Sequence, residues 1–155
     1  MRMDNSEALP GAIADEERLA RAVFYPYHIA KSGKIKKEAF KAPTGGRDVS
    51  VNRLRAIGAD ECKMRAKSIH SPGTFEGFAV VTAGDVRQCG SDVVDSREIY
   101  FGHADIMHDV VLKSGVPAPP DFNQRLKKIA NRANFFADPS PDSDIWSGED
   151  LVSNG

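Results

Sequence analysis

The sequence predicts an α+β fold, in which helices, including a C-terminal amphipathic helix, pack on a small mixed or antiparallel sheet. Three observations indicate this class. Short runs of β-branched and aromatic residues recur along the chain, clusters of Gly, Pro and Ser separate them, and a long stretch of helical periodicity follows them. At 155 residues, the chain is long enough to bury about two thirds of its unfolded surface in one domain.

The first half of the chain is predicted to form two strands separated by turns and loops. Residues 18–24, RLARAVF, favour a strand because they lead into a run of aromatic residues, and the alternative is the end of a helix that begins near Asp15. Pro26 ends either element. Residues 48–58, DVSVNRLRAIG, are predicted to start as a strand and to continue as a short helix with Ser50 as its N-cap.

The middle of the chain is predicted to alternate between helices and strands. Residues 60–70 have helical apolar spacing, and His70 is expected to interact with the dipole at the end of this helix. Residues 74–83, TFEGFAVVTA, contain the clearest strand, and its apolar run predicts a central position. Thr82, followed three residues later by Asp85, predicts the N-cap of a short helix. Two further strands are predicted at residues 92–94 and 98–106.

The C-terminal amphipathic helix is predicted over residues 121–138, with Asp121 as its cap and Pro139 after its end. Its apolar stripe has the spacing of one helix face and consists of Phe122, Leu126, Ile129, Ala130, Ala133 and Phe136. Its outer side carries four bases and no acid: Arg125, Lys127, Lys128 and Arg132.

The net charge of −1 conceals an uneven distribution along the chain. Residues 1–17 contain five acids and one base, and residues 138–155 contain five acids and no base. Residues 18–55 contain ten bases and two acids. We therefore expect a loose acidic leader at residues 1–14, a single α+β domain at residues 15–137, and an acidic tail at residues 138–155.

The excess positive charge of residues 18–55 predicts a surface that attracts a polyanion, and phosphate backbones are the commonest polyanions that such surfaces meet. Aromatic residues lie among these lysines and arginines. Aromatic rings that are exposed can stack on unpaired nucleobases, whereas buried rings belong to the core. The residues predicted to bind nucleic acid or another anion are Arg21, Tyr25, Tyr27, Lys31, Lys34, Lys36, Lys37, Lys41, Arg47, Arg53, Lys127 and Lys128.

The acidic tail is predicted to bind a partner. Its segment 144–152, DIWSGEDLV, places Ile145, Trp146 and Leu151 among acids, which is typical of a short docking motif. Alternatively, the acidic ends fold back on the basic residues when no polyanion is bound. The lysines also suit an acidic protein partner, so the sequence leaves a nucleic acid, a nucleoprotein and an acidic protein open.

An enzyme that acts on RNA or a nucleotide is the alternative to a binding protein. His28 and His103 would serve as acid and base, with Arg53 on the phosphate, and this requires that all three converge on one pocket. His103, Asp105 and His108 also form an H-x-D pattern followed by a histidine, which suits a metal or a His–carboxylate pair. Since no further ligand is apparent, we expect structural histidines and no metal.

Several other classes of protein have no support in the sequence. A P-loop, a G-x-G-x-x-G fingerprint and a G-x-S-x-G elbow are absent, so we expect no cofactor and lean against an enzyme. No apolar run approaches the length of a membrane span. Cys62 and Cys89 show no paired spacing, which is typical of reduced thiols in a cytoplasmic protein.

The order of these segments resembles a family of short, uncharacterised bacterial proteins. The likeness covers about residues 18–106 and consists of RLARAVFYPYHI, EAF, DVSVNRL, GFAVVTAGDVRQCG and GHADI. The family has no activity that can be transferred to this chain. The resemblance implies an accessory role with nucleic acid or a nucleoprotein in bacterial antiviral defence.

Overall fold

The computed structural model describes residues 9–69 and 71–152, and within them six strands form a single sheet. The strands are β1 (Arg18–Tyr25), β2 (Asp48–Arg53), β3 (Thr74–Thr82), β4 (Asp92–Asp95), β5 (His103–Met107) and β6 (Asn134–Ala137). Their order is β4-β5-β2-β1-β3-β6, and all of these pairings are antiparallel. The helices are α1 (Ala59–Lys67), α2 (Ala83–Gln88), α3 (Pro120–Arg132) and a short 3-10 helix, Lys37–Phe40. The α+β fold predicted from the sequence is confirmed.

Several of the predicted elements are confirmed in detail. Residues 18–24 belong to β1, and β3 is central because β1 and β6 pair with its two edges. The Thr82 side chain accepts a hydrogen bond from the backbone N–H of Asp85 at 3.1 Å, which is the N-cap predicted for α2. His70, predicted to end the helix at residues 60–70, lies outside the described residues.

The short helix predicted after β2 is wrong. Ser50 lies inside β2, where it pairs with Asp105 of β5, so it is not an N-cap. The chain then turns, because the backbone N–H groups of Ala56 and Ile57 both donate to the carbonyl of Arg53. Gly58, the last residue of the segment predicted to continue as a helix, is instead the N-cap residue of α1.

The C-terminal helix is shorter than the periodicity predicts. It begins at Pro120 and ends at Arg132, and residues 134–137 form β6 against β3. Phe136 therefore continues the helical spacing only by coincidence. Two adjacent aromatic residues favour a strand, and Ala133 has extended backbone angles. The Asp121 carboxylate accepts from Phe122 N–H inside the first turn and does not cap the helix.

Side chains from the two faces of the sheet form two separate cores. Because successive residues of a strand point to opposite faces, Leu19 and Val23 of β1 join one core and Ala20 joins the other. The α3 face is covered by α2, α3 and the 3-10 helix, and its core includes Phe40, Val49, Val51, Val86, Ile106, Phe122, Leu126 and Ile129. The α1 face is covered by α1 and residues 138–152, and its core includes Leu54, Ile57, Cys62, Ala66, Phe78, Val80 and Leu151.

The sheet opens between two of its inner strands. β1 and β2 pair only at Leu19 with Arg53 and at Ala20 with Asn52, whereas β1 continues to pair with β3 as far as Tyr25. Beyond Ala20 the two strands separate, and the Arg21 side chain lies between them. Its Nη1 donates to the carbonyl oxygen of Ser50 at 3.0 Å, and its Nε donates to that of Ala39 at 2.8 Å.

Both ends of the described chain pack on the domain. Leu9 and Ile13, in the segment predicted as a loose leader, are buried, and residues 1–8 of that segment lie outside the described residues. In the predicted acidic tail, Trp146 packs on Phe78 with ring centroids 5.3 Å apart, and Leu151 is buried. Across residues 9–69 and 71–152, no helix has the length and apolar character needed to cross a membrane.

Candidate nucleic-acid interface

The basic side chains fall into two groups according to their partners. Most arginines, together with Lys37, Lys63 and Lys67, have a carboxylate within 4 Å. A second group forms no ion pair with any residue that the structure describes. This group consists of Arg21, Lys31, Lys34, Lys36, Lys41, Arg47, Lys113, Lys127 and Lys128. The unpaired positive charge therefore comes mainly from residues 31–47 and from the outer side of α3.

A turn brings the first lysines to the surface. Ile29 and Ile35 form an antiparallel bridge and are both buried, and Gly33 between them has a φ of 88°, which a glycine adopts without strain. Lys31 and Lys34 lie on this turn and are exposed. Because Ile35 points inward, Lys36 beside it points outward.

The two basic segments that the sequence predicts meet at one cleft of about 360 Å³ between the 3-10 helix and α3. Four lysines line the cleft: Lys34, Lys36, Lys37 and Lys127. Glu38 is the one acid in the lining, and it pairs with Lys37 at 2.7 Å. The cleft therefore keeps an excess of positive charge.

Three further exposed bases, Lys41, Arg47 and Lys113, lie on the loop that follows the 3-10 helix and on the loop that follows β5. The N–H of Gly45 donates to the carbonyl of Leu112 at 2.7 Å, and the N–H of His108 donates to that of Arg47 at 2.9 Å. These bonds hold the loop that contains Lys41 and Arg47 against the loop that contains Lys113. We define the basic surface as Lys31, Lys34, Lys36, Lys37, Lys41, Arg47, Lys113, Lys127 and Lys128.

The outer side of α3 contributes less charge than the sequence predicts. Arg125 donates to the Asp109 carboxylate at 2.6 Å, and Arg132 donates to Gln88 at 2.8 Å and lies 3.4 Å from an oxygen of Asp85. Only Lys127 and Lys128, among the four bases predicted there, have no ion pair with a described residue.

Most of the aromatic residues near the basic surface belong to the core. Phe24 and Phe40 are buried, and Tyr25 is half-buried against the core of the α3 face. Tyr27 is 52% exposed, which leaves its ring accessible to a stacking base. The Lys36 ammonium donates to the carbonyl of Pro26 at 2.8 Å, so the backbone next to Tyr27 is tied to a residue of the cleft.

Arg53 does not belong to the basic surface, which corrects the prediction that it binds an anion. Its side chain is completely buried and forms a two-pronged ion pair with Glu17 at 2.9 and 2.7 Å. Its Nη1 also donates to Asp95 and to the carbonyl of Pro10. These partners raise the pKa of Arg53 in spite of its burial, and they leave no free edge for a phosphate.

The predicted catalytic residues do not assemble. His28 accepts a hydrogen bond from Phe24 N–H on Nδ1, and burial, followed by the nearby charge of Arg21, lowers the pKa of its imidazole to about 4. His103 lines a cavity whose lining includes neither His28 nor Arg53. The convergence required for the acid–base mechanism is therefore absent.

The two histidines of the predicted metal pattern lie in different environments. His103 and Asp105 point to the α1 face, whereas His108 packs on Phe122 of the α3 face, with Nε2 at 2.7 Å from the carbonyl oxygen of Phe40. Burial lowers the pKa of both histidines. No group of three or more His, Cys, Asp or Glu side chains in the described part of the chain is placed to hold a metal.

A second cavity, of about 220 Å³, lies where β1 and β2 separate. Its lining includes polar side chains from β1, β2, α1 and its C-cap, the β4–β5 connection and β5: Arg21, Ser50, Asn52, Arg65, Ser68, Tyr100 and His103. The Tyr100 hydroxyl donates to the Asn52 side chain, and the Arg65 guanidinium carbon lies 3.4 Å from the Tyr100 ring centroid. The sequence does not single out Asn52, Arg65 or Tyr100, because they lie on three separate parts of the chain and no spacing along it links them.

Comparison with known proteins adds no relative. No family model, curated protein or solved structure matches this chain. The function is therefore argued from the residues of this chain and their geometry.

Proposed function

We propose that this protein is a non-enzymatic accessory protein that binds nucleic acid through its basic surface. The observation that supports this proposal most strongly is the separation of the two groups of cations. Three of the four lysines of the cleft, Lys34, Lys36 and Lys127, have no ion pair with a described residue, while the cations elsewhere are mostly neutralised by carboxylates. A polyanion that binds the cleft can approach Lys34, Lys36 and Lys127 without first displacing a described carboxylate.

The residue types of the basic surface favour binding to a phosphate backbone without preference for a nucleotide sequence. Eight of the nine members of the basic surface are lysines, which act as flexible point charges and form no fixed two-pronged contacts. Contacts between lysines and phosphates supply affinity and orientation, whereas contacts to the edges of nucleobases supply sequence specificity. The exposed Tyr27 ring adds a stacking platform, so we propose single-stranded nucleic acid as the ligand.

The test is the salt dependence of binding to a labelled single-stranded oligonucleotide, followed by fluorescence anisotropy. We expect Lys34→Gln/Lys127→Gln to lower the slope of log affinity against log salt by about 1.4, since each phosphate contact to a single strand contributes about 0.7. The affinity at moderate salt should fall by about tenfold.

A matched control changes the net charge by the same amount on the α1 face. Met64 and Ile145 are 58% and 60% exposed there, and Met64→Glu/Ile145→Glu also changes the net charge by −2. This variant should bind almost as tightly as the parent. Equal weakening by both variants would show that net charge alone controls binding. Absence of binding at low salt would contradict the proposal and favour an acidic protein partner.

A further inference from the structure

We propose that the cavity between β1 and β2 is a binding site for a small molecule that carries an oxyanion, either a carboxylate or a phosphate. This site lies outside the proposed nucleic-acid interface. The basic surface is built on the α3 face, whereas α1, Asn52, Tyr100 and His103 enclose the cavity on the opposite side of the sheet.

Arg21 is the main reason for expecting an anion. It is the one arginine lining the cavity without a carboxylate partner among the described residues, and burial lowers the pKa of its guanidinium to about 10. Its Nε and Nη1 donate to the carbonyls of Ala39 and Ser50, but its Nη2 has no hydrogen-bond partner within residues 9–69 and 71–152. The Arg21 side chain is half-buried, and a partly desolvated cation without a counter-ion is stabilised when an anion binds beside it.

A second guanidinium borders the same cavity. Arg65 uses Nε to bind Glu61 at 2.9 Å and stacks on Tyr100, and its two Nη groups form no hydrogen bond to any residue that the structure describes. Stacking on the ring holds the planar group in place without using these donors. Guanidinium donors arranged in this way suit the oxygens of a carboxylate or phosphate.

His103 gives the cavity an additional polar contact at a fixed orientation. Its Nδ1 lies 2.5 Å from Ser96 Oγ, and the ring packs edge-on against Tyr100 with centroids 4.8 Å apart. Its Nε2 has no hydrogen-bond partner in the described part of the chain. The ring is thus held by one nitrogen and offers the other to a ligand, while burial lowers its pKa and favours the neutral form.

The remaining lining limits the size and shape of the ligand. Ala20, Ala22, Cys62 and Ala66 present small, largely apolar groups, and Ile69 contributes an apolar side chain. The cavity volume of about 220 Å³ is below the range of about 300–1,000 Å³ that is usual for pockets of drug-sized ligands. The cavity therefore suits a small metabolite with one oxyanion group and a short apolar body.

The test uses inorganic phosphate and acetate as separate probes, titrated into the full-length protein. The readout is the imidazole ¹⁵N resonance of His103, assigned with a His103→Gln variant. We expect a saturable shift with at least one probe, and none with sodium chloride at the same ionic strength. A response to phosphate alone assigns a phosphate-bearing ligand, and a response to acetate alone assigns a carboxylate-bearing one.

Substitutions then test the two guanidinium groups. Arg21→Gln and Arg65→Gln should each weaken binding by about tenfold or more, because each removes charge-assisted hydrogen bonds. Arg55→Gln is the control, since Arg55 is exposed and does not line the cavity. Arg21 links β1 to Ser50 of β2, so Arg21→Gln can disturb the fold. Among the described residues, the Arg65 side chain hydrogen-bonds only Glu61 of its own helix, so Arg65→Gln tests the site even if Arg21→Gln fails to fold.

The inference is overturned if neither probe produces a saturable shift, or if Arg65→Gln binds as tightly as Arg55→Gln. Oligonucleotide affinity provides the independent comparison. Arg65→Gln should leave it unchanged, whereas Lys34→Gln/Lys127→Gln should weaken oligonucleotide binding and leave the His103 shift intact. Failure of one proposal is therefore distinguishable from failure of the other.

Discussion

Arg53 and Lys34 carry the same charge, and their neighbours give them opposite roles. Arg53 lies at the end of β2 with Glu17 and Asp95 against its guanidinium, so its charge is neutralised inside the protein. Lys34 lies on an exposed turn where no described carboxylate reaches it. A residue's charge therefore predicts an interaction with a ligand only when its intramolecular partners are known.

The buried ion pairs of Arg53 lead to a stability prediction. Arg53→Met leaves the carboxylates of Glu17 and Asp95 buried without their shared cation, and we expect the free energy of unfolding to fall by about 3–5 kcal/mol. Chemical denaturation measures this loss. Arg55→Met is the control, because Arg55 is exposed and lies 4.0 Å from Glu17, and it should cost less than about 1 kcal/mol. Similar losses in the two variants would contradict this account.

At the scale of elements, the C-terminal segment shows how a partner-binding motif can instead be intramolecular. Residues 138–152 have the acidic, Pro- and Ser-rich composition of a disordered tail, yet they cover the α1 face. Lys63 of α1 is completely buried and donates to Asp138, to the carbonyl of Ser140 and to that of Ile145. Of the predicted docking residues, only Ile145 remains largely exposed.

Loss of the Lys63 ammonium should release this segment. Lys63→Met leaves the Asp138 carboxylate buried without a cation, so we expect residues 138–152 to detach more readily from α1. Trp146 is the single tryptophan, so a red shift of its fluorescence and faster proteolysis of the segment report the change.

Lys67→Met provides the comparison for this experiment. Lys67 reaches the same segment through longer contacts of 3.3–3.4 Å, and its carboxylate partner, Asp144, is almost fully exposed. Its loss should shift the fluorescence much less. Equal shifts in the two variants would rule out a special role for the buried lysine.

At the scale of the whole molecule, the acidic ends neutralise cations that lie away from the basic surface. In the N-terminal segment, Asp15 pairs with Arg87 and Glu17 with Arg53. In the C-terminal segment, Asp138 pairs with Lys63 and Asp144 with Lys67. The described acidic residues therefore do not fold back over residues 31–47, and the lysines there keep their charge.

This arrangement predicts that the tail does not compete with a bound polyanion. The variant Asp142→Asn/Asp144→Asn/Glu149→Gln/Asp150→Asn should change oligonucleotide affinity by less than about twofold at physiological salt. The sheet and its packed layers separate these groups from the basic surface by more than the Debye length of about 8 Å. Fluorescence anisotropy measures the affinity. An increase of tenfold or more would indicate that the tail inhibits binding.

Local patterns predicted much of the secondary structure and part of the candidate interface. The N-cap at Thr82 and the central strand β3 depend on neighbouring residues, so the sequence reveals them directly. Helical spacing extends into residues 134–137 and predicts a helix there, and only pairing with β3 makes them a strand. The cavity between β1 and β2 could not be predicted, since its residues come from five separate parts of the chain.

Composition and periodicity were sufficient for the α+β class and for the concentration of lysines between residues 31 and 41, because both are properties of neighbouring residues along the chain. Long-range contacts decided which charges are neutralised. Arg53 meets Glu17 and Asp95 across 36 and 42 residues, and Lys63 meets Asp138 across 75. Electrostatic energy depends on distance and burial in space, so these pairs, and the unpaired charge that remains, are defined only in the folded protein.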